Sequence, residues 1–133
     1  MLNMEYLQKE LSRIKANDGK YAVFGNHDYG GGAIRIYEDF MNNCGFQVLY
    51  DETVFLEKFN IEIIGFDDYL SGQTETDFYH IQSDKFYLIA THELIISKYI
   101  EGSGENFILS GHTHGGQVSS PYFAKKLFPN GSD

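Results

Sequence analysis

Apolar residues along the chain fall into short runs separated by polar clusters. Between Glu5 and Ile14, the residues Leu7, Leu11 and Ile14 recur at helical spacing among charges, which predicts an amphipathic helix. Asn17-Asp18-Gly19 supplies a stop. Tyr21-Ala22-Val23-Phe24 predicts a short buried strand ending at Gly25-Asn26-His27-Asp28. Gly30-Gly31-Gly32 reads as a loop. Ala33 to Asn43 reads as a second helix, with Ile36, Phe40 and Met41 on one side. Gly45 stands where a helix-ending glycine is expected. Apolar runs at Phe46 to Tyr50, Thr53 to Leu56 and Ile61 to Phe66 predict closely spaced, hairpin-linked strands. Asp67 to Ser83 is polar and predicts a loop with a helical turn.

Phe86 to Ala90 is the clearest buried strand, and it delivers Thr91-His92-Glu93. Leu94 to Ile100 predicts a short helix closed by Gly102. Phe107-Ile108-Leu109 predicts another buried strand, delivering Gly111-His112-Thr113-His114-Gly115-Gly116. The strands at Tyr21 to Phe24, Phe86 to Ala90 and Phe107 to Leu109 are apolar throughout, as expected of strands covered on both sides. The alternation of helices and strands predicts a single α/β layered domain over residues 1–133.

Composition narrows the function classes. Of the 133 residues, 42% are hydrophobic and 16% aromatic, enough for a packed core and too much for a disordered chain. A formal net charge of −9 argues against a nucleic-acid footprint or an anionic membrane surface, which needs a basic patch. It also makes a phosphate-rich substrate unexpected unless bound cations reverse the local field. Cys44 is the single cysteine, so no intrachain disulfide and no cysteine-rich zinc site can form. The sequence contains no apolar run of about 18 residues.

Four of the five histidines lie in three clusters, Asn26-His27-Asp28, Thr91-His92-Glu93 and His112-Thr113-His114, and each cluster follows an apolar run. Ligands of open α/β sheets gather at the carboxyl ends of strands, and neutral imidazole is the commonest metal ligand. A His-x-His pair on an extended segment turns both rings to one side. Taken singly, each cluster has a plainer explanation. His-x-His can be a surface pair, Asn-His-Asp a turn, and His92 a hydrogen-bonded strand end. His80 reads as a loop residue.

At these residues the sequence resembles a known family. Gly25-Asn26-His27-Asp28 resembles the G-N-H-D/E motif of calcineurin-like metallophosphoesterases, and Gly111-His112-Thr113-His114 resembles their G-H-x-H motif. Thr91-His92 resembles the solitary histidine between them. The extended forms, Gly25 to Tyr29 and Gly111 to Gln117, resemble the bacterial branch of small, often membrane-associated phosphoesterases. The resemblance implies a partial α-β-β-α sandwich and a metal-dependent hydrolase acting on phosphomonoesters or phosphodiesters. It implies two divalent ions, with Asn26, His92 and His112 on one and His114 on the other. It also implies that His27 stabilises or protonates the leaving oxygen, oriented by Asp28, and that Gly115 and Gly116 approach substrate oxygens. Two cations roughly 3.5–4 Å apart clamp the oxygens of an in-line displacement and acidify a bridging water. An amide oxygen with imidazoles suits manganese, iron or zinc.

Two earlier family motifs, D-x-H and G-D-x-x-D, have no counterpart in the sequence. Asp77-Phe78-Tyr79-His80 has the wrong spacing, and Gly65-Phe66-Asp67-Asp68 lacks the Gly-Asp order. The chain is therefore expected to be an internal piece of such a domain, impaired or inactive alone. Its uncovered strands are expected to drive self-association. Two competing readings are a non-catalytic binding module on the same fold, and an unrelated protein with one mononuclear zinc site formed by His92, His112 and His114.

Overall fold

The computed structural model describes residues 3–30, 33–74 and 79–113. It is an α/β fold. Helix α1 spans Met4–Ser12, with the Asn3 side chain accepting from the amides of Glu5 and Tyr6. Such a cap satisfies donors that have no partner within the helix. The helix ends at Arg13, ahead of Asn17-Asp18-Gly19, so Ile14 lies outside it and is half exposed. Strand β1, Tyr21–Ala22, leads into a single turn of helix α2, Asn26–Tyr29. Helix α3 spans Ile34–Asn43 and buries Met41, while Ile36 faces outward, 66% exposed, contrary to the sequence reading. It closes at Gly45 (φ 81°), where the amides of Gly45 and Phe46 donate to Asn42 and Met41. That pair of bonds, with glycine in the left-handed region, is a Schellman ending.

Strand β2, Gln47–Val48, pairs in parallel with β1. Helices α1 and α3 lie against this pair around Phe24, Met41 and Val48. A second, larger sheet follows. Strands β3 (Glu52–Leu56) and β4 (Ile61–Gly65) form the expected hairpin, paired antiparallel. Asn60 absorbs the left-handed step between them (φ 54°). Strand β6 (Phe86–Thr91) pairs in parallel with β4 on one side and with β8 (Glu105–Ser110) on the other.

Two short strands escaped the sequence reading. Strand β5, Tyr79–Ile81, lies in the stretch read as loop, and β7, Ile100–Gly102, lies where a helix was expected to end. They pair with each other and, with the 3-10 turn Leu94–Tyr99, cover one face of the larger sheet around Ile64, Tyr87, Ile89 and Ile96. His80 is an exposed residue of β5 rather than of a loop.

The expectation that β8 is covered on both sides needs correction. Phe107 and Leu109 are 56% and 51% exposed. They share a face with Leu88 and Ala90 of β6 through the in-register pairing. Among the described residues no layer covers that face at β8. Nearer β4 the same face is closed by Leu49, which is fully buried against Gly65. A Cβ on Gly65 would lie 2.3 Å from the Leu49 Cβ. Gly65→Ala should therefore force apart the two halves of the fold, not strain the backbone. The expected cost is about 1–3 kcal/mol, read as a lowered urea midpoint with an unchanged slope.

Candidate metal centre

Strands β4, β6 and β8 run parallel, so their carboxyl ends share one edge of the sheet. Residues just past those ends are Asp67 and Asp68, His92 and Glu93, and His112. The turn at α2 brings Asn26 to the same place. His92 Nε2 lies 2.9 Å from Asn26 Oδ1 and 3.3 Å from His112 Nδ1. The two imidazoles stand edge to face, centroids 5.1 Å apart.

The local chain explains how His92 is held. A Cβ on Gly25 would fall 2.9 Å from the His92 ring, and one on Gly111 would reach ordinary contact at 3.5 Å. Glycine is thus needed at 25 for closeness, since its φ of −126° suits any residue. Gly111 N–H donates to the His92 carbonyl at 3.1 Å, pinning the backbone after β8 to the backbone after β6. His112 itself sits in the left-handed region, φ 66°. A non-glycine residue held there is uncommon and tends to mark a functional constraint.

Asp28 turns back on its own helix. Its Oδ2 accepts from Gly25 N–H at 2.8 Å, closing the turn that presents Asn26 and His27. His27 is exposed beside this centre, near enough for its charge to act on His92. His114, Gly115 and Gly116 lie outside the described residues.

The donor set fits a metal ion. Asn26 Oδ1 is an acceptor, and the two facing ring nitrogens share at most a few protons among neutral tautomers. A cation satisfies all three atoms at once. With ligand bonds of about 2.1 Å, neighbouring ligand atoms stand roughly 3.0–3.4 Å apart, and the observed gaps are 2.9 and 3.3 Å. Burial pushes the His92 imidazole below its ordinary pKa. His112 and His27 push the same way, and Asp68 and Asp28 oppose. The result favours the neutral ring that a metal requires.

The sequence reading missed the carboxyl groups behind this centre. Asp67, Asp68 and Glu93 are all buried. Asp67 accepts from the amides of Asp68 and Gln73, at 2.8 and 3.1 Å, and from the Tyr29 hydroxyl. Asp68 Oδ2 accepts from Ser71 N–H at 2.7 Å, and Glu93 Oε2 from Tyr69 N–H at 2.9 Å. Glu93 offers an oxygen within 4.8 Å of ligand atoms of His92 and His112, so it borders the ion position. Burial raises its carboxyl to about 7, and Asp68 adds to that shift. A signal existed: Asp67-Asp68 follows the apolar run Ile61 to Phe66 as the histidine clusters follow theirs.

Comparison with known proteins finds relatives over most of this chain. The chain is 30% identical over 124 residues to the uncharacterized metallophosphoesterase YkuE of Bacillus subtilis, covering 90% of this chain and 43% of that protein. It is 34% identical over 128 residues to YkoQ of the same organism, covering 88% and 46%. An uncharacterized metallophosphoesterase of Aquifex aeolicus matches at 34% over 128 residues, covering 87% and 46%. The chain is a metallophosphoesterase homologue. It spans less than half the length of these curated relatives. No family model and no solved structure matches it.

In this metallophosphoesterase homologue, Gly25→Ala tests the packing around His92. The added methyl should displace the ring and weaken divalent-metal affinity by about 10–100-fold, the usual effect of disturbing what orients a ligand. Titration calorimetry with Mn²⁺ on the folded variant gives the measurement.

Proposed function

We propose that the intact protein is a metal-dependent phosphoesterase, hydrolysing a phosphomonoester or phosphodiester. The observation that carries this is the convergence of Asn26 Oδ1, His92 Nε2 and His112 Nδ1 in a chain similar to metallophosphoesterases over most of its length. These three residues would hold one divalent ion, and His114 would belong to a second. Manganese, iron and zinc suit an amide oxygen with imidazoles. Bound ions of this kind supply Lewis-acid charge for an in-line displacement at phosphorus and lower the pKa of water.

The chain's own part is to position and to move a proton. The Gly25–Asp28 hydrogen bond holds the α2 turn, so His27 is presented outward while Asn26 points to His92. An exposed imidazole beside the ion position can stabilise or protonate a departing alkoxide. Asp28 supports that role through the turn it closes.

Separate effects on chemistry and on metal binding test the assignment. In the full-length protein, His27→Ala should lower kcat by about 10²–10⁴-fold with metal content retained. His112→Ala should instead deplete metal. Metal analysis beside turnover of a chromogenic phosphodiester distinguishes them. Unchanged kcat in folded His27→Ala would remove His27 from the mechanism.

A further inference from the structure

A groove of about 560 Å³ opens where the two halves of the fold meet. Phe24, Tyr29, Ile34 and Tyr50 line it from the smaller half, and Ser71 and Gln73 from the loop after β4. That volume lies in the range of sites for small organic ligands, which favour such junctions. Its wall begins within a turn of the ion position. Tyr29 closes the single turn of α2 that Asn26 opens, so the two residues are about 4.5 Å apart along the helix axis. Phe24 precedes Asn26 by two residues.

The lining is aromatic and held in place. Phe24 is buried, and the Tyr29 and Tyr50 rings stand around it with centroids 5.8 and 5.9 Å away. Tyr50 is 47% exposed, which leaves much of its ring open to a ligand. The Tyr29 hydroxyl donates to Asp67. Next to Tyr50, Asp51 sits at φ 56° and its Oδ1 accepts from Asp67 N–H at 3.1 Å. A wall fixed beforehand loses less conformational freedom on binding. The charged members of the lining are Arg35 against Glu38, Asp51 and Asp67. This net negative set has no attraction for a second phosphate and suits an organic group.

We propose that this groove seats the organic group of the phosphate ester, and that the group is a planar aromatic ring close to the ester oxygen. The ring would lie against Tyr50 and Tyr29 while the phosphate sits at the ion position. This names a substrate class for the functional reading above and rests on it.

Three phosphonates separate the groove from the chemistry. In benzylphosphonate, cyclohexylmethylphosphonate and methylphosphonate a carbon stands in for the ester oxygen, so no ester bond is present to hydrolyse. The organic group is a flat ring in the first, a saturated ring of similar size in the second, and absent in the third. Their affinities are measured by calorimetry on the Mn²⁺-loaded full-length protein, at a pH where all three are dianions. Benzylphosphonate should bind about 10–100-fold tighter than methylphosphonate, through the apolar area buried. It should bind about 2–10-fold tighter than cyclohexylmethylphosphonate, through ring–ring geometry. Tyr50→Leu keeps an apolar wall without the ring and should erase the preference for the flat ring over the saturated one. Should that variant not fold, Ser71→Phe fills the groove from an exposed position and should erase the advantage of benzylphosphonate over methylphosphonate. Equal affinity of the parent for benzyl- and methylphosphonate would overturn the groove. Equal affinity for the two ringed ligands would overturn its aromatic preference, as would a preference that survives either variant. All of these results leave the functional reading standing, because methylphosphonate still reports the ion position. Parent protein that binds no Mn²⁺, or none of the three ligands, would refute the functional reading and the groove with it.

Discussion

Strand β6 is the constraint on which the rest of the site depends. It pairs in parallel on both sides, with Gly65 opposite Ala90 and Thr91 opposite Ser110. Those registers align three strand ends within about one residue. Everything with chemical interest follows within three residues of an end: Asp67 and Asp68, His92 and Glu93, His112. A one-residue slip would reverse which face each side chain meets. The alternation along β6 resists such a slip, because Tyr87, Ile89 and Thr91 are buried on the face packed by Ile64 and Ile96. The histidines therefore converge because the core beneath them has only one good register.

Among the described residues, three kinds of contact join this sheet to the smaller α1–α3 half. Leu49 seats on Gly65, the Tyr29 hydroxyl donates to Asp67, and Asn26 meets His92. The first is apolar packing, the second a hydrogen bond to a buried carboxylate, and the third closes the ion position itself. An ion bound by Asn26 and His92 would thus link the two halves directly. Its binding free energy would add to the stability of their junction, as ligand binding adds to any state that alone can bind.

Much of this was legible in the residues, and the gaps have physical causes. Apolar runs ending in polar clusters pointed to Asn26, His92 and His112, which the fold brings together, because strand ends are where a buried backbone first meets polar side chains. The same rule applied to Ile61–Phe66 would have flagged Asp67 and Asp68, which a search for imidazole passes over. Strands β5 and β7 were invisible because three-residue strands with exposed His80 and Glu101 carry no periodicity. The exposure of Phe107 and Leu109 could not be read either. An apolar run records what a strand can pack against, not which layer is in place. The α2 turn was not read as a helix because it is one turn long and is closed by Asp28 rather than by an apolar stripe.

The acidic character of the chain, unexpected under the proposed phosphoesterase function, becomes intelligible at this centre. The groups acting on His92 are Asp68 and Asp28 together with His112 and His27. None brings a permanent positive charge. Asp28, Asp67, Asp68 and Glu93 each give at least one oxygen to a backbone amide, so they shape loops, and the aspartates leave a negative local field. That field draws in divalent cations and repels an unaccompanied phosphate. The charge that offsets a phosphate oxygen must then come from bound ions, which invert the local electrostatics. On this account the net charge of −9 does not conflict with a phosphoesterase. On the function proposed above, attraction of an anionic substrate would depend on the metal being bound first.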